Sequence, residues 1–211
     1  MPTLAITASI NNQVFSSSTA VSKAITDQLT KHSAAVMQDI AVELRSALDK
    51  LYEDLARRHG TPWPNGTSAD SLSVRSGAGL RSIKQSITVT QTDTMVTGSI
   101  STAKLTVHET GAVITPRRAQ YLTVPLTPAL NSRGMPLRSK ARDWDNTFIA
   151  TSKRGNLIIF QKGVGGTITP LYLLKKSVTI RPRLGLGKMF EDMVPHFERK
   201  AIEAIEKSFN G

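Results

Sequence analysis

Residues 19–59 read TAVSKAITDQLTKHSAAVMQDIAVELRSALDKLYEDLARRH, and this stretch decides the fold class. Its apolar residues recur at spacings of three, four or seven, a pattern typical of one apolar face on an α-helix. The positions are Ile25, Leu29, Val36, Ile40, Leu44, Leu48, Leu51 and Leu55. Gly60 and the turn-forming residues 61–66 predict where the helix ends.

The predicted helix is long for a chain of 211 residues. At about 1.5 Å per residue it would extend on the order of 60 Å, more than a domain of this size covers by itself. We therefore expect either a break near Lys31–Ser33 or cover from a neighbouring subunit. In the second case the candidate residues of the homo-oligomer interface are Leu44, Leu48, Leu51 and Leu55.

The sequence after this helix predicts short strands separated by turns. Thr-rich alternation on both sides of residues 91–94 indicates a hairpin, which begins near Ile83 and ends near Val107. Further extended segments are predicted over residues 112–126, around a proline turn, and at residues 157–160 and 171–180.

An amphipathic helix is predicted over residues 188–209, with Pro195 marking a kink or its first turn. Together these patterns indicate an α+β fold. In it, a long N-terminal helix and a C-terminal amphipathic helix pack on a small, mainly antiparallel β-sheet with long loops.

Residues 3–10 alternate in a period of two, which predicts a short strand ahead of the long helix. We expect residues 1–19 to form an extended arm that pairs with another chain or returns to its own sheet. Residues 20–211 are expected to form a single domain.

Positive charge is concentrated in one part of the chain. Residues 116–190 contain 14 Lys and Arg but only two carboxylates, a net charge of +12, whereas the remaining residues carry 13 basic and 14 acidic groups, a net charge of −1. Such segregation predicts a partner with negative charge, either phosphate backbones or acidic protein surfaces.

A long, mobile, basic loop is predicted over residues 128–156, which lack periodicity. The residues expected to face DNA or a protein partner lie in or near it. They are Arg117, Arg118, Arg133, Arg138, Lys140, Arg142, Lys153 and Arg154. Because no helix-turn-helix, zinc finger or basic zipper is present and aromatic residues are few, sequence-specific DNA recognition is not expected.

Residue types needed for catalysis or metal binding do not cluster in the sequence. The chain has no cysteine, and its four histidines (His32, His59, His108 and His196) lie far apart. Asp143 and Asp145 flank Trp144, but within a basic loop we expect them to form ion pairs. We predict no enzyme activity, no cofactor and no metal.

No apolar run approaches the roughly 18 residues that a membrane span requires. The first residues lack the basic and long apolar regions of a secretory signal. An intracellular protein without a membrane association is therefore expected.

Two segments resemble the tail-completion, or neck, proteins of long-tailed bacteriophages, the virion-morphogenesis family. Residues 77–83 (GAGLRSI) are similar to a family pattern that starts a strand, and residues 108–126 (HETGAVITPRRAQYLTVPL) are similar to a longer and more specific one. A closing pattern is matched by Leu173–Val178, the Arg181–Arg183 corner and the helix that follows. The resemblance covers roughly residues 20–209.

The resemblance implies a structural α+β subunit of the virion, assembled in the host cytoplasm, that forms a ring between the connector and the tail. A homo-oligomer, six-fold by analogy with tail symmetry, would contact head-completion or connector proteins and tail terminator or tail tube proteins. It would touch packaged DNA non-specifically as it lines the DNA channel. The alternative hypothesis is a non-sequence-specific DNA-binding protein involved in packaging.

Overall fold

The computed structural model describes residues 8–10, 13–15, 18–92 and 95–210. The helices are α1 (Ser18–His59), α2 (Ala78–Gln85), α3 (Thr106–Thr110) and α4 (Leu186–Asn210). The strands are β1 (Ala8–Ile10), β2 (Gln13–Phe15), β3 (Thr88–Gln91), β4 (Val96–Ser99), β5 (Ala112–Ile114), β6 (Leu122–Pro125), β7 (Thr147–Thr151), β8 (Leu157–Lys162), β9 (Ile168–Lys175) and β10 (Val178–Ile180). The α+β class predicted from the sequence is confirmed.

Two compact units divide the chain. Unit 1 comprises the residues up to Lys50, Ile87–Ile100 and the residues from Glu191 onward. Unit 2 comprises Leu51–Ser86 and Ser101–Phe190. Helices α1 and α4 each contribute residues to both units.

The predicted long helix is confirmed, and α1 runs without interruption through Lys31–Ser33. The leucines expected at a subunit interface are instead buried within this one chain, with exposed fractions of 8%, 0%, 4% and 0% for Leu44, Leu48, Leu51 and Leu55. An apolar helix face packs against an available apolar surface, and here that surface belongs to the same chain. These side chains are therefore core residues.

Unit 1 contains two antiparallel hairpins, β1–β2 and β3–β4. The close fit of β4 against α1 depends on Gly98, because a Cβ at this position would lie 2.7 Å from Leu44 Cδ2 and 3.0 Å from Leu48 Cδ1. The strand predicted over residues 3–10 is present at Ala8–Ile10, where it pairs with β2, and its first part lies outside the described residues.

Unit 2 is built on a four-stranded antiparallel sheet with the strand order β6-β9-β8-β7. Strands β5 and β10 form a separate antiparallel pair. One core cluster joins Ala129 to Leu171 and Tyr172 of β9, with Trp144 and Ile159 packed against it. The extended segments predicted over residues 112–126, 157–160 and 171–180 correspond to these strands.

Two sequence predictions are corrected in unit 2. Residues 78–85, expected to lead into a strand at Ile83, form helix α2, which begins after Gly77 in a left-handed conformation (φ 70°). Val107, expected in a strand, lies in helix α3. In both cases a short run of apolar residues fits either period, and packing decides between them.

Residues 128–156 are also more ordered than the predicted mobile loop. They include strand β7 and two short 3-10 turns, and Trp144 Nε1–H donates a hydrogen bond to the Tyr172 hydroxyl at 3.0 Å. A turn at Asn131 is closed by its side-chain oxygen, which accepts hydrogen bonds from the N–H groups of Arg133 and Met135. The lack of periodicity in the sequence therefore indicates irregular structure here and not disorder.

Candidate functional site

Strand register gathers three connections at one end of the four-stranded sheet. Leu122, the first residue of β6, pairs with Lys175, the last residue of β9. Thr151, the last residue of β7, pairs with Leu157, the first residue of β8. Since the start of β8 pairs with β9 near Leu173, all of these strand ends lie at the same end of the sheet.

Each of these three connections carries two adjacent cations, if Lys175, the last residue of β9, is counted with the β9–β10 connection. We call the six residues the cationic end: Arg117, Arg118, Lys153, Arg154, Lys175 and Lys176. The β5–β6 connection is held beside the β9–β10 connection because Ile114 pairs with Val178 on one side of it and Leu122 with Lys175 on the other. The sheet therefore brings together cations that are up to 59 positions apart in the sequence.

All six side chains of the cationic end are exposed. In the part of the chain that the structure describes, none of them forms an ion pair with a carboxylate. The Lys153–Arg154 turn is closed by hydrogen bonds between Ser152 and the residues that follow, from Gly155 N–H to Ser152 O and from Ser152 N–H to Asn156 O. Gly155 has a φ of 75° with nothing within 4 Å of a Cβ, so this turn stands in open space.

The other four predicted basic residues belong to a different connection, which we call the β6–β7 connection (residues 126–146). They are Arg133, Arg138, Lys140 and Arg142, all exposed. This connection leaves the sheet after Pro125, which pairs with Tyr172 in the middle of β9, and returns at Thr147, which pairs with Gln161 near the end opposite the cationic end. The structure thus divides the eight predicted residues into two groups of four, and adds Lys175 and Lys176 to the first.

Side chains within the β6–β7 connection are partly engaged by their neighbours. The guanidinium of Arg138 lies 6.0 Å from the centre of the Trp144 ring. The carboxylate of Asp143 accepts a hydrogen bond from the backbone N–H of Lys140 at 2.9 Å, and no described cation forms an ion pair with Asp143 or Asp145. Asp143 therefore closes a turn, which corrects the expectation of ion pairs.

Residues 108–126 and the segment that leads into α4 meet in one junction of unit 2. His108 O accepts hydrogen bonds from the N–H groups of Arg183 (2.7 Å) and Leu184 (2.8 Å). The carboxylate of Glu109 accepts hydrogen bonds from Leu186 N–H at 2.9 Å and Gly187 N–H at 2.8 Å, at the start of α4. Two motifs that are separate in the sequence thus form a single structural element.

Beside this junction is a cavity of about 420 Å³, lined in part by His59 and His108. His59 is 2% exposed, and its ring donates to Leu184 O through Nε2 (2.9 Å) and accepts from Leu72 N–H at Nδ1 (3.1 Å). Because a carbonyl only accepts and an amide N–H only donates, this pair of contacts selects the neutral ring. Two of the four histidines that are scattered in the sequence therefore approach one cavity, which their spacing in the chain does not predict.

Burial lowers the pKa of both histidines. For His59, burial is the main cause of the lowered pKa, and the positive charge of Arg58 lowers the pKa further. The hydrogen bond to Leu184 and the negative charge of Glu109 raise the pKa but do not outweigh burial. For His108 burial is again the main cause, with the charge of Arg183 adding to it. His108 Nδ1 and Arg183 Nε are buried without a hydrogen-bond partner in the described structure.

Among the described residues, no group of three or more His, Cys, Asp or Glu side chains is arranged to hold a metal ion. None of the described helices is long and apolar enough to span a membrane.

No protein-family model matches the chain, and neither a curated protein nor a solved structure matches it.

Proposed function

We propose that this chain is a structural subunit of a phage neck, a tail-completion protein that joins the connector to the tail. The observation that carries the proposal is the uneven charge of the two units. Unit 2 contains 20 basic and six acidic residues, a net charge of +14, whereas unit 1 contains seven basic and ten acidic residues, a net charge of −3. Such a protein holds a negatively charged partner by many weak contacts and needs no catalytic centre.

The junction in unit 2 supports the same proposal. The resemblance to the virion-morphogenesis family rests on residues 77–83, on residues 108–126 and on the closing segment. The last two of these segments meet in the junction. Hydrogen bonds join these two segments at His108 and Glu109, and β5–β10 and β6–β9 pairing joins the rest. Two of the three segments that carry the resemblance are therefore in contact in the fold.

The proposed assembly is a homo-oligomeric ring, which in six copies of 22.9 kDa would have a mass of about 137 kDa. Light scattering on the purified protein, alone and mixed with connector or tail subunits, measures this mass. A monomer under every one of these conditions would contradict the ring.

Particle assembly tests the role itself. In a phage that carries the gene, loss of the protein is expected to leave DNA-filled capsids and tails that do not join, and a wild-type copy supplied in trans should restore joined particles. Electron microscopy of lysates reads the outcome. Joined, infectious particles without the protein would refute the structural role.

The second candidate is a non-sequence-specific DNA-binding protein that acts during packaging, and the exposed cationic end favours it. The two candidates differ in the stage of assembly that fails. A packaging factor would leave empty capsids, whereas a tail-completion protein would leave filled ones.

A further inference from the structure

We infer that the cationic end of unit 2 is a binding site for the phosphate backbone of duplex DNA. This inference rests on the proposed function, because it names the partner of the charged unit and the residues that contact it. Its first support is geometric: three connections, each with two adjacent cations, lie side by side at one end of the four-stranded sheet.

The size of this surface suits a duplex. Four neighbouring strands at a spacing of about 4.8 Å span roughly 14 Å. Duplex DNA carries one charge per about 1.7 Å of axis, so roughly eight phosphates lie within that width. Six exposed cations can therefore each meet a phosphate, and every such contact releases condensed counterions.

The chemistry of the surrounding residues favours phosphates over an acidic protein surface. The three connections otherwise contain small or polar residues such as Thr115, Gln120, Ser152, Asn156 and Ser177. Hydroxyl and amide groups of this kind donate to phosphate oxygens without reading sequence. Protein interfaces instead depend on buried aromatic and apolar anchors and are depleted in lysine. Tyr121, the one large aromatic residue in these three connections, is only partly exposed.

The β6–β7 connection provides a matched control within the same unit. It has four exposed cations, but they belong to a different connection from the six cations of the cationic end, and the Arg138 guanidinium lies over the Trp144 ring. If net charge alone produced binding, removing four cations from either place would weaken DNA binding equally. The inferred site requires that removing cations from the cationic end weakens DNA binding more than removing them from the β6–β7 connection.

The experiment measures binding of a fluorescent 30-base-pair duplex of arbitrary sequence to the full chain by anisotropy, between 50 and 200 mM salt. With six phosphate contacts the affinity should fall about 10³-fold over this range, from a slope of about −0.9 per contact in log K against log salt. The variant K153Q/R154Q/K175Q/K176Q should reduce the slope by about 3.6, leaving a fall of only about tenfold. The control variant R133Q/R138Q/K140Q/R142Q should keep the wild-type slope.

The smaller variant K153Q/R154Q, which changes only an exposed turn, should reduce the slope by about 1.8, and circular dichroism should show wild-type folding for all three variants. Equal reductions in the two fourfold variants would overturn the inference in favour of diffuse attraction. Absence of wild-type binding at 50 mM salt would overturn it in favour of an acidic protein partner. Either result leaves the particle-assembly test of the proposed function unaffected, because a subunit that joins heads to tails need not bind DNA.

Discussion

At the scale of single residues, His59 is the side chain on which one buried and one partly buried backbone group depend. Leu72 N–H and Leu184 O, 112 positions apart, both hydrogen-bond to its ring. Replacing His59 with Leu leaves both groups unpaired, at about 1 to 3 kcal/mol each. We expect H59L to lower the free energy of unfolding by about 2 to 5 kcal/mol, as measured by urea denaturation. The control H196L changes an exposed histidine of α4 and should stay within about 0.5 kcal/mol of wild type.

The same variant has a second readout in its pH dependence. The pKa of His59 is below its ordinary value of 6.5 because burial disfavours the charged ring. As the pH falls below 6.5, His59 binds a proton in the unfolded chain but not in the folded chain. The wild-type protein therefore loses stability until the pH falls below the lowered pKa of the folded state. The pKa of His108 is also lowered and adds to this loss in both proteins. The stability difference between wild type and H59L should therefore narrow from pH 7.5 to pH 5.5, and a constant difference would contradict the neutral ring.

Glu109 performs a comparable task at the start of α4. Its two carboxylate oxygens accept from Leu186 N–H and Gly187 N–H, and its negative charge lies at the positive end of the helix dipole. A glutamine keeps one acceptor and loses the charge. We expect E109Q to reduce the free energy of unfolding by about 1 to 2 kcal/mol. E53Q, at an exposed glutamate of α1, is the control, and an equal effect of both changes would refute the capping role.

At the scale of elements, the contact of β4 with α1 depends on the absence of a side chain at position 98. A Cβ there would lie 2.7 Å from Leu44 Cδ2, closer than such atoms approach. Both leucines that it meets are core residues, so the strand or the helix must shift. We expect G98A to lower the thermal midpoint of unfolding by an amount that corresponds to a loss of about 1 to 3 kcal/mol in the free energy of unfolding. G163A is the matched control, since its nearest contact is 3.6 Å away at Thr167 O, and a similar loss there would contradict the packing explanation.

Elements with a clear period were predictable, and short ambiguous ones were not. Helix α1 was predicted to within one residue because eight apolar positions share its face. Helix α2 has only Leu80 and Ile83 at helical spacing in its eight residues, which a strand accommodates as well. Its helical state is decided by contacts such as the close approach of Gly79 to Leu105.

At the scale of the whole molecule, the net charge of +11 opposes compact folding by self-repulsion. The fourfold variant K153Q/R154Q/K175Q/K176Q removes exposed cations that form no ion pairs among the described residues. We expect its unfolding midpoint in low salt to equal or exceed that of wild type. Added salt should stabilise wild type more than the variant, because screening relieves a repulsion that the variant already lacks. A lower midpoint for the variant would show that these cations support the fold instead.

The sequence by itself determined the two long helices, α1 and α4, and the surplus of positive charge after residue 116, because periodicity and composition are local properties of the chain. Only the tertiary structure decided which cations share a surface. Lys175 and Lys176 lie beside Arg117 and Arg118 because of strand pairing, and Arg133 lies elsewhere although it is nearer to Arg118 in sequence than Lys153 is. Strand order and register are set by contacts between distant segments, so they cannot be predicted from any single segment.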